Sequence, residues 1–424
     1  MRRCNRLLRS LSPLLAAAVL TGCAGIVPGT PESAAPDLGA LDTGEWDTTR
    51  LSAPANGKDS YGRILESARL AEAVINPIDI DASLVYPVTA LVPTPLASVG
   101  ILAEVARPIL TEFGMVAGYS VTAGDTDGER STMNSKSTLI RVTVLSLHDP
   151  AAAAAAAQRI GAADFAAGTG NETVEIPGYE AAQGHWRPTV PTVGVYIAHG
   201  SFVVALYLRL PEPDSDALAE LAAATLDAQL PKLDTFTPTR ADQLATLPLD
   251  PDGMVARMVP MRAGQWTYPS ISRRENYFRE VTVAIGVRFN GAVVLGPGGV
   301  DHQLRVEQSD RTKPGEYGID RLAETGLESL YRFTDARRAR WYYRALVDNI
   351  SKSVAESADA ERALIAGPAG VPDAFCYRIE FNGTDPYHRC YLLDGRFMAT
   401  VIGPDETFVR RRAAAQYALL AGAR

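Results

Sequence analysis

Few residues in this chain have the types and spacing that chemistry requires. The five histidines are His148, His185, His199, His302 and His388. None stands in a His-Glu-x-x-His pair or another metal-ligand spacing, so no metal site is expected. No Gly-x-Ser-x-Gly elbow is present, and the Ser-Lys runs at Ser351-Lys352-Ser353 and Ser135-Lys136-Ser137 lack the companion motifs of a serine acylase. His199 falls in a hairpin turn, where preference for the turn is the simpler reason for it. Gly296-Pro297-Gly298-Gly299-Val300-Asp301-His302 is a glycine-rich run whose amides would suit an anion. It lacks the Lys and the helix-forming run of a phosphate loop, and reads as a flexible connection after a strand at Val281–Leu295. No catalytic residue and no cofactor is assigned. Trp186, Trp266, Tyr268, Trp341, Tyr342 and Tyr343 are candidates for lining a ligand cleft.

The N-terminus carries the clearest chemistry. Arg2, Arg3, Arg6 and Arg9 precede an apolar stretch from Leu11 to Leu20, which is too short for a membrane span of about twenty residues. Leu20-Thr21-Gly22-Cys23 then looks like a bacterial lipobox. That resemblance implies cleavage between Gly22 and Cys23, a diacylglycerol on the Cys23 thiol, and a cell-membrane anchor on the extracytoplasmic face. Residues 24–58 are rich in Gly, Pro, Ser, Ala and Asp and read as a flexible tether.

With residues 1–22 removed, 37 basic residues face 49 acidic ones, a net charge of −12. Such a body argues against nucleic acid as a partner. Cys4 leaves with the signal and Cys23 is taken by lipid, so Cys376 and Cys390 remain and pair in an oxidising compartment. Local pattern agrees. Phe375–Phe381 alternates as a strand, Asn382–Pro386 is turn chemistry, and His388–Leu393 returns, which sets the two cysteines opposite each other.

The elements around these residues occur twice. In 138–236 the order is strand, helix capped by Asp149, short strand, hairpin about His199-Gly200, and helix after Pro213-Asp214. In 326–422 it is strand, helix capped by Asp335, strand with Cys376, hairpin about Asp394-Gly395, and helix after Pro404-Asp405. Tyr196, Gly200 and Phe202 fall in register with Tyr391, Gly395 and Phe397, and Val195 stands where Cys390 would be. Tyr86-Pro87 and Tyr268-Pro269 are candidate further equivalents. The expected class is α+β: two tandem related domains at 59–240 and 241–424, each a mostly antiparallel sheet with helices packed on one face.

The lipobox, the Ala- and Pro-rich body and the duplicated Tyr-x-x-x-Gly-x-Phe hairpin resemble a family of actinobacterial cell-envelope lipoproteins of mycobacterial and nocardial type. More faintly, the repeated unit is similar to the extracellular sensor domains of actinobacterial serine/threonine kinases, which carry two disulfides where this chain has one candidate pair. The expected function is binding of a small-molecule, lipid or protein ligand at the junction of the halves. The alternative is a hydrolase of envelope material. Arginines at 332, 337, 338, 340 and 344, and at 410–412, read as solvated helix faces or as contacts to anionic envelope polymers.

Overall fold

The computed structural model describes residues 37–92, 101–126, 136–274, 286–308, 317–326, 328–356, 362–380 and 386–422. The first half contains β1 (Tyr86–Leu91), β2 (Ala117–Gly124), β3 (Leu139–Ser146), β4 (Glu172–Val174), β5 (Gln183–Arg187), β6 (Val190–His199) and β7 (Phe202–Arg209). Its helices are α1 (Asp59–Leu70), α2 (Ala106–Glu112), α3 (Pro150–Ala167) and α4 (Ser215–Asp234). In the second half a short hairpin of β8 (Ile271–Arg274) and β9 (Gly286–Phe289) precedes the main sheet. That half has β10 (Val293–Leu295), β11 (Ile319–Thr325), β12 (Glu328–Phe333), β13 (Arg362–Ile365), β14 (Ala374–Ile379), β15 (Tyr387–Asp394) and β16 (Phe397–Gly403). Its helices are α5 (Pro297–Gln308), α6 (Ala336–Glu356) and α7 (Glu406–Ala421).

Both sheets have seven antiparallel strands, in the orders β1-β2-β3-β7-β6-β5-β4 and β10-β11-β12-β16-β15-β14-β13. Taken strand for strand these are one topology, as duplication requires. The expected helix starts are real. The Asp149, Asp214, Asp335 and Asp405 carboxylates accept from the amides of Ala152, Ala217, Arg338 and Phe408 at 2.7–3.0 Å. Tyr268-Pro269 does not match Tyr86-Pro87: the counterpart of β1 is β10, and Tyr268 lies before the separate β8–β9 hairpin.

Helices cover both faces of each sheet, where one face was expected. On β7, Val203 and Ala205 pack toward α3 while Val204 and Leu206 pack toward α4. Both parities of that strand are apolar, which is the composition of a strand buried on two sides. In the second half, Cys376 and Cys390 lie with α7 residues, whereas Phe333 and Tyr391 lie in the cluster containing α6 residues. The Cys376–Cys390 disulfide forms between directly paired residues of β14 and β15. On the other copy the same pair is Gly184 and Val195. Residues 381–385, most of the expected turn, lie outside those described, as do residues 281–285 of the strand expected at Val281–Leu295.

The glycine-rich run is no loose connection. It opens α5, and the amides of Gly298 and Gly299 donate to the two oxygens of Glu72, each at 2.9 Å. The anion that such amides suit is thus a side chain of the first half. A Cβ on Gly298 would lie 3.0 Å from Glu72 Cα, and one on Gly296 would lie 2.8 Å from Glu72 Oε1, so the close approach requires glycine. Beside this contact Asn76 donates to Asp301 (2.8 Å), and the buried His302 donates from Nε2 to the Val74 carbonyl (3.1 Å). Gln229 and Lys232 of α4 hold the neighbouring carbonyls of Ala73 and Val74 at 2.7 and 2.9 Å. One apolar cluster runs through the junction, from Leu70 and Val74 to Leu295, Val300 and Leu304.

The tether expected at 23–58 does not extend to residue 58. From Asp42 onward the chain is packed on the second half. Asp42 pairs with Arg411 (3.1 Å), Asp47 accepts from the Gly264 amide (2.6 Å), and Arg50 donates twice to the Leu419 carbonyl (3.0 and 2.9 Å). Trp46 meets Phe408 edge-on at 5.5 Å and lies under the Arg412 guanidinium at 4.3 Å. An apolar-poor composition misled here, because one tryptophan and three charged side chains fix the segment. Most of the clustered arginines are likewise internal partners: Arg332 pairs with Asp320, Arg340 with Asp373, Arg410 with Glu406 and Arg412 with Glu328.

Candidate functional site

Among the described residues, the junction of the halves is filled by the shared core and by the Glu72 and His302 contacts. The six candidate aromatics do not meet in one cleft. Trp266 packs on the disulfide-side core, Tyr268 stacks on Tyr61 at 5.0 Å, Trp341 is exposed, and Tyr342 and Tyr343 are buried. Trp186 alone of the six lines the cavity described next.

A cavity of about 530 Å³ lies instead on the α3 side of the first sheet. Its origin is in the helix. Ala152, Ala153, Ala156, Ala157 and Ile160 are buried on the sheet, and the small size of the four alanines lets α3 lie close to β6 and β7. Beyond Ile160 the helix presents Asp164 and Ala167, and among the described residues no large apolar side chain of α3 fills the space above the strands. The floor is a row of directly paired residues. Thr122 of β2 pairs with Arg141 of β3, Arg141 with Tyr207 of β7, Tyr207 with Gly194 of β6, and Gly194 with His185 of β5. Strand alternation puts all of them on one face.

Two polar groups meet at Asp164. The Tyr196 hydroxyl donates to Oδ2 at 2.7 Å, and His185 Nε2 lies 3.5 Å from the same oxygen. Burial holds the Tyr196 hydroxyl well above its usual range, reinforced by the Asp164 charge. Burial pushes the His185 imidazole down, against the opposing pull of Asp164. Its ring lies parallel to that of Tyr196 at 6.4 Å and meets Phe165 edge-on at 6.2 Å. A Cβ on Gly194 would sit 3.1 Å from His185 Cε1, so a side chain there would displace the imidazole. Across the floor, Arg141 is half-buried beside the Tyr207 ring (5.4 Å). It donates to Thr122 Oγ1 (3.1 Å) and the Ile101 carbonyl (3.2 Å).

The second copy shows what closes such a space. The counterparts of His185 and Gly194 are Tyr377 and Arg389, paired in the same way. Arg389 there donates to the Tyr391 hydroxyl (3.3 Å) and lies over the Tyr387 ring (5.8 Å). Leu346, Val347 and Ile350 of α6 pack against the cluster that holds Tyr377 and Tyr391. Burial raises the Tyr377 hydroxyl.

Of the other histidines, His148 contacts Asp149 (3.1 Å), His199 contacts Asp234 (2.6 Å) at the turn, and His388 is buried in β15. Among the described residues no group of three or more His, Cys, Asp or Glu is placed to hold a metal ion. Among them, too, no helix is long and apolar enough to cross a membrane. Sequence reasoning named His185 and Trp186 but missed Arg141, Asp164, Gly194 and Tyr207. The available signal was a lone arginine inside Leu139-Ile140-Arg141-Val142-Thr143-Val144.

Fold and cavity together define a duplicated α+β protein with one open copy and one filled copy. The chain belongs to the family described as domain of unknown function DUF7373, whose N-terminal model matches residues 53–249 and whose C-terminal model matches 254–423. No curated relative matches it. Among solved structures it is distantly similar to the extracellular domain of PknH from Mycobacterium tuberculosis. That match has a TM-score of 0.29 and 11% identity, over 38% of this chain and 95% of that one, too slight to support any functional inference.

Proposed function

We propose that the protein is an exported lipoprotein, acylated at Cys23 after cleavage behind Gly22, that holds a small ligand in the cavity of its first half. The carrying observation is that cavity, about 530 Å³ and lined by Arg141, His185, Asp164 and Tyr207, in a copy whose duplicate fills the same place with Arg389 and tyrosines. Its volume falls within the ordinary range for small-molecule sites. The Cys376–Cys390 disulfide supports an oxidising, extracytoplasmic compartment, and the Leu-Thr-Gly-Cys segment supports anchoring to the membrane by lipid.

Native mass spectrometry of protein purified from the envelope tests the ligand. The wild type is expected to carry a small molecule that the cavity-filling variant Gly194→Arg lacks. A variant that folds normally and keeps the same bound mass would reject the site. Cys23→Ser is expected to leave the protein in the aqueous fraction, and firm membrane association of that variant would reject the anchor.

The contact between His185 and Asp164 favours one second reading, acid–base chemistry as in a hydrolase of envelope material. That reading requires turnover of envelope extract that His185→Ala abolishes, and wild-type protein without turnover rejects it.

A further inference from the structure

We infer that the first-half cavity recognises a small oxyanion, carboxylate or phosphate, through the Arg141 guanidinium on its floor; this rests on reading the cavity as a ligand site and supplies its ligand class.

Arg141 is a charged residue in a strand whose neighbours Ile140 and Val142 are completely buried on the opposite face. Its side chain is half-buried and lines the cavity. The protein atoms it meets are neutral: Thr122 Oγ1, the Ile101 carbonyl and the Tyr207 ring. Among the described residues no carboxylate pairs with it. Arg305, Arg332 and Arg412 differ, with carboxylates of Asp301, Asp320 and Glu328 at 3.1, 2.9 and 2.5 Å. Withdrawing a guanidinium from water without a counter-charge is costly, and a bound oxyanion removes that cost while accepting charge-assisted hydrogen bonds.

The rest of the lining has compatible charge. Asp164 is the sole carboxylate among the lining residues. It is engaged by the Tyr196 hydroxyl at 2.7 Å and approached by His185 at 3.5 Å. Arg141 and Arg187 against Asp164 leave a net charge of +1 with His185 neutral. Arg187 is exposed beside Gly168, where α3 ends, and the carbonyls of that helix terminus already favour its charge. Among the described lining residues, Arg141 is therefore the group with unmet demand. A positive hollow on an otherwise acidic body also concentrates anions locally that the rest of the surface repels.

The test is calorimetric titration of the mature chain in detergent, at low salt, with three probes: benzoate, its uncharged counterpart benzamide, and inorganic phosphate. Benzoate or phosphate should bind, benzamide should bind roughly ten-fold more weakly or worse, and Arg141→Gln should weaken the anion by roughly ten-fold or more. Arg141→Lys, which keeps the charge, should retain intermediate affinity. The relative strength of benzoate and phosphate tells which oxyanion is preferred. Thermal melting controls for folding, and the benzoate–benzamide comparison needs no variant. Benzamide binding as tightly as benzoate, with Gly194→Arg abolishing both, overturns the oxyanion inference and leaves the cavity as a ligand site. Binding of none of the three, together with no bound mass lost in Gly194→Arg, overturns both.

Discussion

Replacing Glu72 with Ala should destabilise the protein by about 3 kcal/mol, although Glu72 does not line the cavity. Its carboxylate accepts two amide hydrogen bonds of 2.9 Å at the start of α5. A hydrogen bond to a charged group contributes about 1.5–3 kcal/mol net, and the lower end applies because Glu72 is only half-buried. Two such bonds give about 3 kcal/mol, within which the favourable interaction with the helix dipole is already counted. Glu72→Gln keeps one acceptor, loses the charge, and turns an amide NH₂ toward one of the glycine amides, so about half the loss, roughly 1.5 kcal/mol, is expected. Urea unfolding followed by circular dichroism is the assay. One transition should be seen, because a single apolar cluster runs through the junction, and the slope with urea should not change. A loss under about 1 kcal/mol for Glu72→Ala would refute the reasoning. So would two separated transitions in the wild type, since the halves would then unfold independently.

Three other outcomes follow from buried contacts. Burial pushes His302 down to about 4, with Asp301 opposing and Lys232 assisting that shift, while its unfolded value is about 6.5. The unfolded chain alone takes up this proton between those values. Stability from the neutral imidazole is therefore complete above about pH 6.5 and falls by about 3 kcal/mol on acidification to about pH 4. His302→Gln should flatten that part of the urea-stability profile, and a variant profile parallel to the wild type would exclude the assignment. Arg412→Met leaves Glu328 buried without its partner and should cost about 3–5 kcal/mol, part of which Glu328→Gln on the same chain restores; additive losses in the double-mutant cycle would count against this pair. Replacing both Cys376 and Cys390 with Ala should lower stability by about 3 kcal/mol, for a link between residues 14 apart, and an unchanged urea midpoint would contradict it.

The repeated part of the fold was legible because its signals are local. Asp149, Asp214, Asp335 and Asp405 each precede an apolar-periodic run, and Tyr-x-x-x-Gly-x-Phe marks both hairpins. Cys376 and Cys390 lie close in sequence on either side of one turn, so pairing followed from strand alternation. The outer strands did not announce themselves. Ala117–Gly124 is rich in Gly, Ala and Ser and becomes a strand by pairing with β3. A Pro-Gly-Gly run opens α5 only because Glu72, 226 residues away from Gly298, supplies the cap. The cavity was hidden for the same reason. Thr122, Arg141, Tyr207, Gly194 and His185 become one row only through register across five strands. No local motif encodes that row, and the absence of a side chain at Gly194 is as important to it as any residue present.

The packing of residues 42–50 also decides where mechanical tension would go. A pull on the chain ahead of Asp42 would reach Arg411, Phe408 and Leu419 before any strand of the first sheet. Those anchors all belong to α7, so the last helix would take up such a load first. None of these first-loaded residues is among those that line the hollow of the other copy.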